Sequence, residues 1–176
     1  MKQLIAICAI GNDRTGLVFD LTRVVVDCGG NVLESRMTAL GNEFAMLLLV
    51  AGNWHTLAKL ETELTKLGES SGLTITVRRT EQRPPRTDMV TYTADVVCLD
   101  QPGVLNALSG FFSSRGIDIG DITTRTYNAA HTGASMFSVY LVVHVPTRVH
   151  IAALREEFMD LCDHMNLDAI LEPLKN

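Results

Sequence analysis

The sequence lacks the patterns that mark several well-defined functional classes. Its four cysteines, at positions 8, 28, 98 and 162, form no Cys-x-x-Cys pair. Its five histidines have neither His-x-x-x-His nor His-Glu-x-x-His spacing. We therefore expect no metal site and no catalytic triad. No apolar run reaches transmembrane length, and the net charge of −5 does not indicate a general binder of membranes or nucleic acid. These absences predict a globular protein without a cofactor and without enzymatic activity.

The composition is that of a globular protein of one medium or two small domains. The chain has 176 residues, of which 47% are hydrophobic and 20% charged. Each cysteine falls within an apolar pattern, so we expect four buried thiols. Since nothing indicates a disulfide framework, the sequence predicts an intracellular, cytoplasmic protein.

One turn occurs twice in the chain. The stretch Asn12–Leu17 separates an apolar run from an amphipathic helical pattern, and Asp100–Val104 does the same, with Gly103 lying 87 positions after Gly16. The same offset relates five apolar positions in each helical pattern: Leu17, Val18, Leu21, Val24 and Val25 correspond to Val104, Leu105, Leu108, Phe111 and Phe112. This coincidence indicates an internal duplication.

Each copy has the predicted element order βαββαβ. The sequence therefore predicts an α+β protein of two ferredoxin-like domains, each an antiparallel four-stranded sheet with two helices on one face. The expected bounds are residues 1–80 for the first domain, 81–88 for a polar linker and 89–176 for the second. The last helix is expected over 147–165. The interior strands are apolar on both sides, so an uncovered sheet face or edge predicts pairing of the two halves, a homodimer, or both.

The duplicated turn has the chemistry of a site for a free amino acid. A helix N-terminus favours a carboxylate, and Asp13 or Asp100 would receive an ammonium group. Asn31 and Asp118 each begin the next strand, and we expect them to flank the turn at the same end of the sheet. The alternative is that the two acids only cap the helices and that the glycines only permit close packing.

The two halves resemble ACT domains, which are small amino-acid-sensing modules. The resemblance rests on the turns Asp13-Arg14-Thr15-Gly16-Leu17 and Asp100-Gln101-Pro102-Gly103-Val104 and on the strand openings Gly29-Gly30-Asn31-Val32 and Gly116-Ile117-Asp118-Ile119. The tandem arrangement is similar to the family of glycine cleavage system transcriptional repressors. That resemblance implies binding of glycine and action through a partner activator protein.

The resemblance also implies a set of ligand positions. They are Asn12, Asp13 and Asn31 in the first half and Leu99, Asp100 and Asp118 in the second. The full candidate set adds the turn residues Arg14, Gly16 and Gly103. The second half departs from the pattern, because an apolar residue precedes Asp100 and Asp118 replaces an asparagine. The first half is therefore expected to hold the stronger site.

The preferred hypothesis is an amino-acid-responsive transcriptional regulator that contacts a DNA-binding activator and does not itself bind DNA. The alternatives are a ligand-free interaction module and a regulatory subunit of a metabolic enzyme. His131 is expected to lie in a long hairpin loop. A basic cluster, which we interpret as part of a solvated linker, is made of Arg78, Arg79, Arg83 and Arg86.

Overall fold

The computed structural model describes residues 3–85 and 87–174. The chain forms two compact units, Met1–Pro84 and Pro85–Asn176, and each is described here by itself. The predicted linker, 81–88, spans the boundary between the units, and its bounds stay a prediction. Arg86 of the predicted basic cluster lies outside the described residues. In the described ranges, no helix is both long enough and apolar enough to cross a membrane.

The first unit has the predicted order βαββαβ. Its elements are β1 (Gln3–Asn12), α1 (Leu17–Asp27), β2 (Asn31–Leu40), β3 (Glu43–Gly52), α2 (Trp54–Ser71) and β4 (Thr74–Thr80). The strands form one antiparallel sheet in the order β2-β3-β1-β4. Strand β2 is therefore at one edge, and all ten of its residues are exposed.

The second unit repeats this topology. Its elements are β5 (Met89–Leu99), α3 (Val104–Ser114), β6 (Asp118–Asn128), β7 (Ser135–Pro146), α4 (Ile151–His164) and β8 (Asp168–Pro173). The sheet order β6-β7-β5-β8 corresponds strand by strand to that of the first unit. The predicted fold, two ferredoxin-like α+β repeats, is confirmed.

The core of each unit lies between the sheet and its helices. Alternate residues of β1 and β3, such as Ile7 and Leu48, are buried against one stripe of α1 and α2, which includes Leu21 and Leu60. The intervening strand residues point to the other side of the sheet, which we call the open face. Apolar residues recur about every 2 residues in the strands and about every 3.6 residues in the helices. These repeats place them on one face of each strand and on one stripe of each helix, which are the parts that are buried.

Aromatic packing is concentrated in the second unit. Phe112 and Phe158 are fully buried, and their ring centroids are 5.5 Å apart. Phe111 lies 5.2 Å from Phe112 and 5.4 Å from Phe158. This cluster joins α3 to α4.

The helix ends follow local chemistry. Helix α1 ends at its C-cap Cys28 and is followed by a glycine with positive φ, since Gly29 has φ 79°. The N–H groups of Gly29 and Gly30 donate to the carbonyls of Val26 and Val25. Asn53 caps α2 by accepting a hydrogen bond from the Thr56 N–H at 2.8 Å. Helix α4 is shorter than the predicted 147–165, because His150 caps it and the chain before Ile151 forms a turn.

One cysteine prediction is wrong. Cys28, Cys98 and Cys162 are buried as expected, but Cys8 is exposed. The apolar run containing Cys8 is a strand with two different faces: Ile7 and Ala9 point to the core, whereas Cys8 points to the open face. Burial raises the pKa of the three buried thiols, that of Cys162 to about 11.

Candidate ligand site at the first strand-to-helix turn

The turn between β1 and α1 is built around a glycine in the left-handed region. Gly16 is the N-cap residue of α1, with φ 95°, and Gly103 takes the same position before α3, with φ 90°. Other residues rarely adopt this conformation. The alternative in which Asp13 and Asp100 cap the helices is wrong, because neither helix start has a side-chain cap hydrogen bond. The first-turn N–H groups therefore face outward, uncapped by the described side chains.

The two acidic residues of the turns are held at the backbone. The Asp13 N–H donates to the Asn42 carbonyl at 2.9 Å, and the Asp100 N–H donates to the Ser135 carbonyl at the same distance. Each turn is thus fastened to the adjoining β-hairpin. Both aspartates are exposed, and the Asp100 carboxylate accepts a 3.4 Å hydrogen bond from the Ser135 hydroxyl. The backbone bonds position the Asp13 carboxylate while leaving it accessible to solvent.

Arg14 lies across the N-terminal turn of α1. Its Nη2 is 3.0 Å from Oδ2 of Asp20, and its Nη1 donates to the Thr15 carbonyl at 3.3 Å. Arg23 approaches Asp20 from the next turn at 3.9 Å. Asp20 thus anchors the guanidinium group of Arg14 beside the turn, where it adds positive charge to that of the helix terminus.

An open groove of about 510 Å³ lies at this turn. Its polar wall contains Asp13, Arg14 and Gly16, three of the predicted site residues. The remaining lining residues, which the sequence analysis did not assign to the site, are Leu17, Val18, Phe19, Thr22, Met37 and Phe44. The alternating pattern of the second strand is the signal that could have identified Met37. Asn12 ends β1 and is exposed, but it does not line this groove.

The expected position of Asn31 is wrong. Asn31 pairs with Ala51, which also pairs with Leu4, so Asn31 lies level with the beginning of β1. Asn12 lies at the other end of that strand, about 27 Å away at roughly 3.3 Å per residue. Helix α1 runs the length of the sheet between these positions, so the chain re-enters β2 at the opposite end. Asn31 cannot reach the turn of its own unit.

The same correction applies to the second unit. Asp118 pairs with His144, which pairs with Thr91 near the beginning of β5. Asp100 follows the end of β5, so Asp118 and Asp100 are at opposite ends of the sheet. The second turn therefore combines Asp100 and Gly103, without Asp118.

A larger hollow of about 870 Å³ lies at the end of the first unit where Asn31 begins β2. Its lining residues are Gln3, Leu4, Leu33, Ala51, Trp54, Arg79, Thr80, Glu81 and Gln82. Arg79 is engaged there, since its Nε donates to Glu61 at 2.7 Å and its Nη1 to Gln3 at 3.2 Å. This hollow lacks an uncapped helix start, because Asn53 caps α2. We therefore place the candidate ligand site at the smaller groove, where the helix terminus is available.

No group of three or more histidine, cysteine or acidic residues is placed to hold a metal ion within 3–85 and 87–174. His131 of the β6–β7 loop is exposed, and this loop adjoins the second turn, since the Asp100 N–H donates to the carbonyl of Ser135.

The family model of the ACT domain matches residues 3–78, and the second unit repeats the same topology. The chain is a tandem ACT-domain protein. It is 30% identical to the glycine cleavage system transcriptional repressor of Escherichia coli K12, over 94% of this chain and 87% of that protein. The chain belongs to the family of glycine cleavage system transcriptional repressors, which supports a regulatory role.

Solved structures agree with this assignment. A crystal structure described as a glycine cleavage system transcriptional repressor has a TM-score of 0.76 and 27% sequence identity, covering 100% of this chain and 99% of that one. A protein of unknown function from Galdieria sulphuraria has a TM-score of 0.81 at 24% identity, covering 99% of this chain and all of the other. The second likeness is one of fold.

Proposed function

We propose that this protein is an amino-acid-responsive transcriptional regulator whose ligand, glycine, binds at the turn between β1 and α1 of the first unit. The proposal rests chiefly on one observation: an uncapped helix start at Gly16 opens onto a groove that also contains Asp13. The turn of the second unit, with Asp100 and Gly103, would be a weaker site.

The two charged groups of a free amino acid fit this arrangement. The ligand carboxylate would accept hydrogen bonds from the first N–H groups of α1, where the helix dipole and the Arg14 guanidinium favour negative charge. The ammonium group would face the carboxylate of Asp13. Gly16 carries no side chain that would hinder close approach to the backbone. Both ends of the ligand are thereby matched by groups on one short segment.

The size of glycine limits the affinity that this site can reach. Five heavy atoms at a ceiling of roughly 1.5 kcal/mol each give about 7–8 kcal/mol, which corresponds to micromolar binding at best. The apolar side of the groove, with Val18, Met37 and Phe44, leaves room for a larger side chain. The identity of the amino acid is therefore the first quantity to measure.

Regulation is proposed to proceed by contact with a DNA-binding activator. The net charge of −5 opposes direct binding to the phosphate backbone, and the four helices found among the described residues all pack on the two sheets. A coupling free energy of about 1–3 kcal/mol between ligand and partner sites would be enough to switch the complex. We expect a cytoplasmic protein that acts as a homodimer.

Thermal unfolding with a panel of free amino acids tests the ligand. At about 100 times Kd the ligand should add about 2.7 kcal/mol to the free energy of unfolding. Asp13→Asn should abolish the shift without loss of the folded state. Asp27→Asn, at the other end of the same helix, is the matched control and should retain the full response.

Three results would change the proposal. A shift with a larger amino acid but not with glycine would replace the ligand. If no amino acid produces a shift, the proposed ligand response fails. Sequence-specific retention of operator DNA by the purified chain, beyond its retention of random DNA at the same salt concentration, would refute action through protein contact alone.

A further inference from the structure

The open face of the first unit's sheet is unusually apolar. Its two central strands, β1 and β3, contribute eight uncharged apolar residues to it: Leu4, Ala6, Cys8, Ile10, Ala45, Leu47, Leu49 and Ala51. Leu47 is 56% exposed and Ile10 44%. Apolar patches of this kind on a protein surface mark sites of association. The first unit therefore has one face buried by its helices and a second apolar face that is exposed at Cys8, Ile10 and Leu47, whereas Leu4 and Ala51 at one end of it are buried.

The second unit lacks this feature. The corresponding positions of its central strands include Thr93, Asp95 and His144, and β8 adds Asp168 and Ile170. An exposed carboxylate at the centre of a face opposes its burial in an apolar interface. The apolar open face is therefore a property of the first unit, although the two units share one fold.

One row across the open face of the first unit has a charged residue at each end. The pairing of the strands places Glu34 of β2, Leu49 of β3, Ala6 of β1 and Arg78 of β4 in a single row across the sheet. The row thus begins with an acid and ends with a base on opposite edges. Glu34 also contacts Arg36 of its own strand at 3.4 Å, and its side chain remains 61% exposed.

This row is complementary to itself. A two-fold axis between two such faces, parallel to the strands, exchanges the edges, so β4 of one copy lies over β2 of the other. Arg78 of each copy then faces Glu34 of the other, and the two Ala6–Leu49 centres meet between the reciprocal ion pairs. Aligned sheets pack in this manner at about 10 Å with strands within about 30° of each other.

The area is sufficient for a specific interface. Strands β1, β2 and β3 have ten residues each and β4 has seven. At about 3.4 Å per residue and about 4.8 Å between strands, each face covers on the order of 600 Å². Two faces together give about 1,200 Å², at the lower end of the range of about 1,200–2,000 Å² for specific interfaces.

We propose that two copies of this chain associate through the open face of the first unit, about a two-fold axis parallel to its strands. This inference rests on the expected homodimer stated above and is independent of the amino-acid ligand.

Sedimentation velocity across a range of chain concentrations tests the proposal. Leu47→Glu places a charge at the centre of the interface and should weaken the dimer by about a hundredfold or more. Ile170→Glu introduces the same charge at a similarly exposed apolar residue, on edge strand β8 of the second unit's open face, and should leave the dimer unchanged. Circular dichroism verifies that both variants are folded.

Charge reversal tests the symmetry and does not require a change in the apolar centre. Glu34→Arg and Arg78→Glu should each weaken the dimer by at least about tenfold, because each creates two like-charge contacts. The double variant should restore dimerisation. These two positions lie three strands apart on one sheet, so contact within one copy would not explain the restoration.

Several outcomes would overturn the inference. A monomeric wild-type protein would refute both the homodimer and this surface. A dimer that is insensitive to Leu47→Glu would retain the homodimer but place its interface elsewhere. Equal disruption by Ile170→Glu, or failure of the double charge reversal to restore association, would also refute the proposed arrangement.

Discussion

Replacing Gly16 by alanine is the substitution that examines the candidate site most directly. Gly16 has φ 95° and ψ −8°, which places it in the left-handed region at the start of α1. Gly103, with φ 90° and ψ −9°, provides the equivalent position before α3. The pair allows the structural cost of a methyl group to be separated from its effect on ligand binding.

The expected loss of stability in each alanine variant comes from a strained backbone conformation and not from a steric clash. A Cβ atom at Gly16 would meet Nη1 of Arg14 at 3.9 Å, which is ordinary van der Waals contact, and at Gly103 it would meet nothing within 4 Å. The left-handed conformation costs a non-glycine residue about 1–2 kcal/mol. Since alanine also restricts the unfolded chain, the net loss should be on the order of 1 kcal/mol for each variant.

Urea unfolding can measure the two losses separately. The one tryptophan, Trp54, reports on the first unit, whereas all three tyrosines, at positions 92, 127 and 140, lie in the second. Each alanine variant should lower the urea midpoint of its own unit by about 0.5–1 M with an unchanged slope. Gly16→Asn should lose less, because asparagine visits the left-handed region more readily.

The functional readout is the amino-acid affinity. The methyl group of Gly16→Ala would stand where the ligand approaches the helix start, so the affinity should fall by at least about tenfold. Gly103→Ala should retain the response of the first site. The reasoning would be refuted if Gly16→Ala bound the ligand normally, or if its stability loss greatly exceeded that of Gly103→Ala.

Two further predictions concern the second unit. Phe158→Ala removes a fully buried ring and should lower the free energy of unfolding by about 3–5 kcal/mol; a loss below about 1 kcal/mol in urea unfolding would contradict the packing. The pKa of Cys162 is raised by burial from 9.0 to about 11. The contribution of this neutral thiol to the free energy of unfolding is therefore complete below pH 9 and is lost as the pH rises towards 11, because only the unfolded chain releases the proton in that range. Wild type should lose roughly 2–3 kcal/mol more than Cys162→Ala over that window; equal pH dependence would show that the thiol contributes nothing.

The duplication and the chemistry of the turns could be predicted from the sequence because they are local. The offset between Gly16 and Gly103 identified two equivalent helix starts, and both have the left-handed backbone that a glycine permits. The spacing of apolar residues along the chain identified the helices and the side of each helix that is buried. These features depend on residues within one or two turns of each other, where side-chain chemistry determines the backbone conformation.

The positions of Asn31 and Cys8 could not be predicted in the same way. Which end of the sheet Asn31 occupies depends on its register with Ala51 and Leu4, residues far from it in sequence. The exposure of Cys8 depends on which face of an all-apolar strand receives the helices. A one-residue shift in register would exchange the two faces, and no local signal in the strand distinguishes them.

The sequence alone therefore determined two ACT-like repeats and a glycine turn at the start of a helix in each. The tertiary structure decided which residues share a site or a surface. It brought Met37 and Phe44 to the groove beside Asp13, separated Asn31 from that turn, and aligned Glu34 with Arg78 across the open face. The physical reason is that turns and helix starts follow from neighbouring residues, whereas strand register arises only when distant segments pack together.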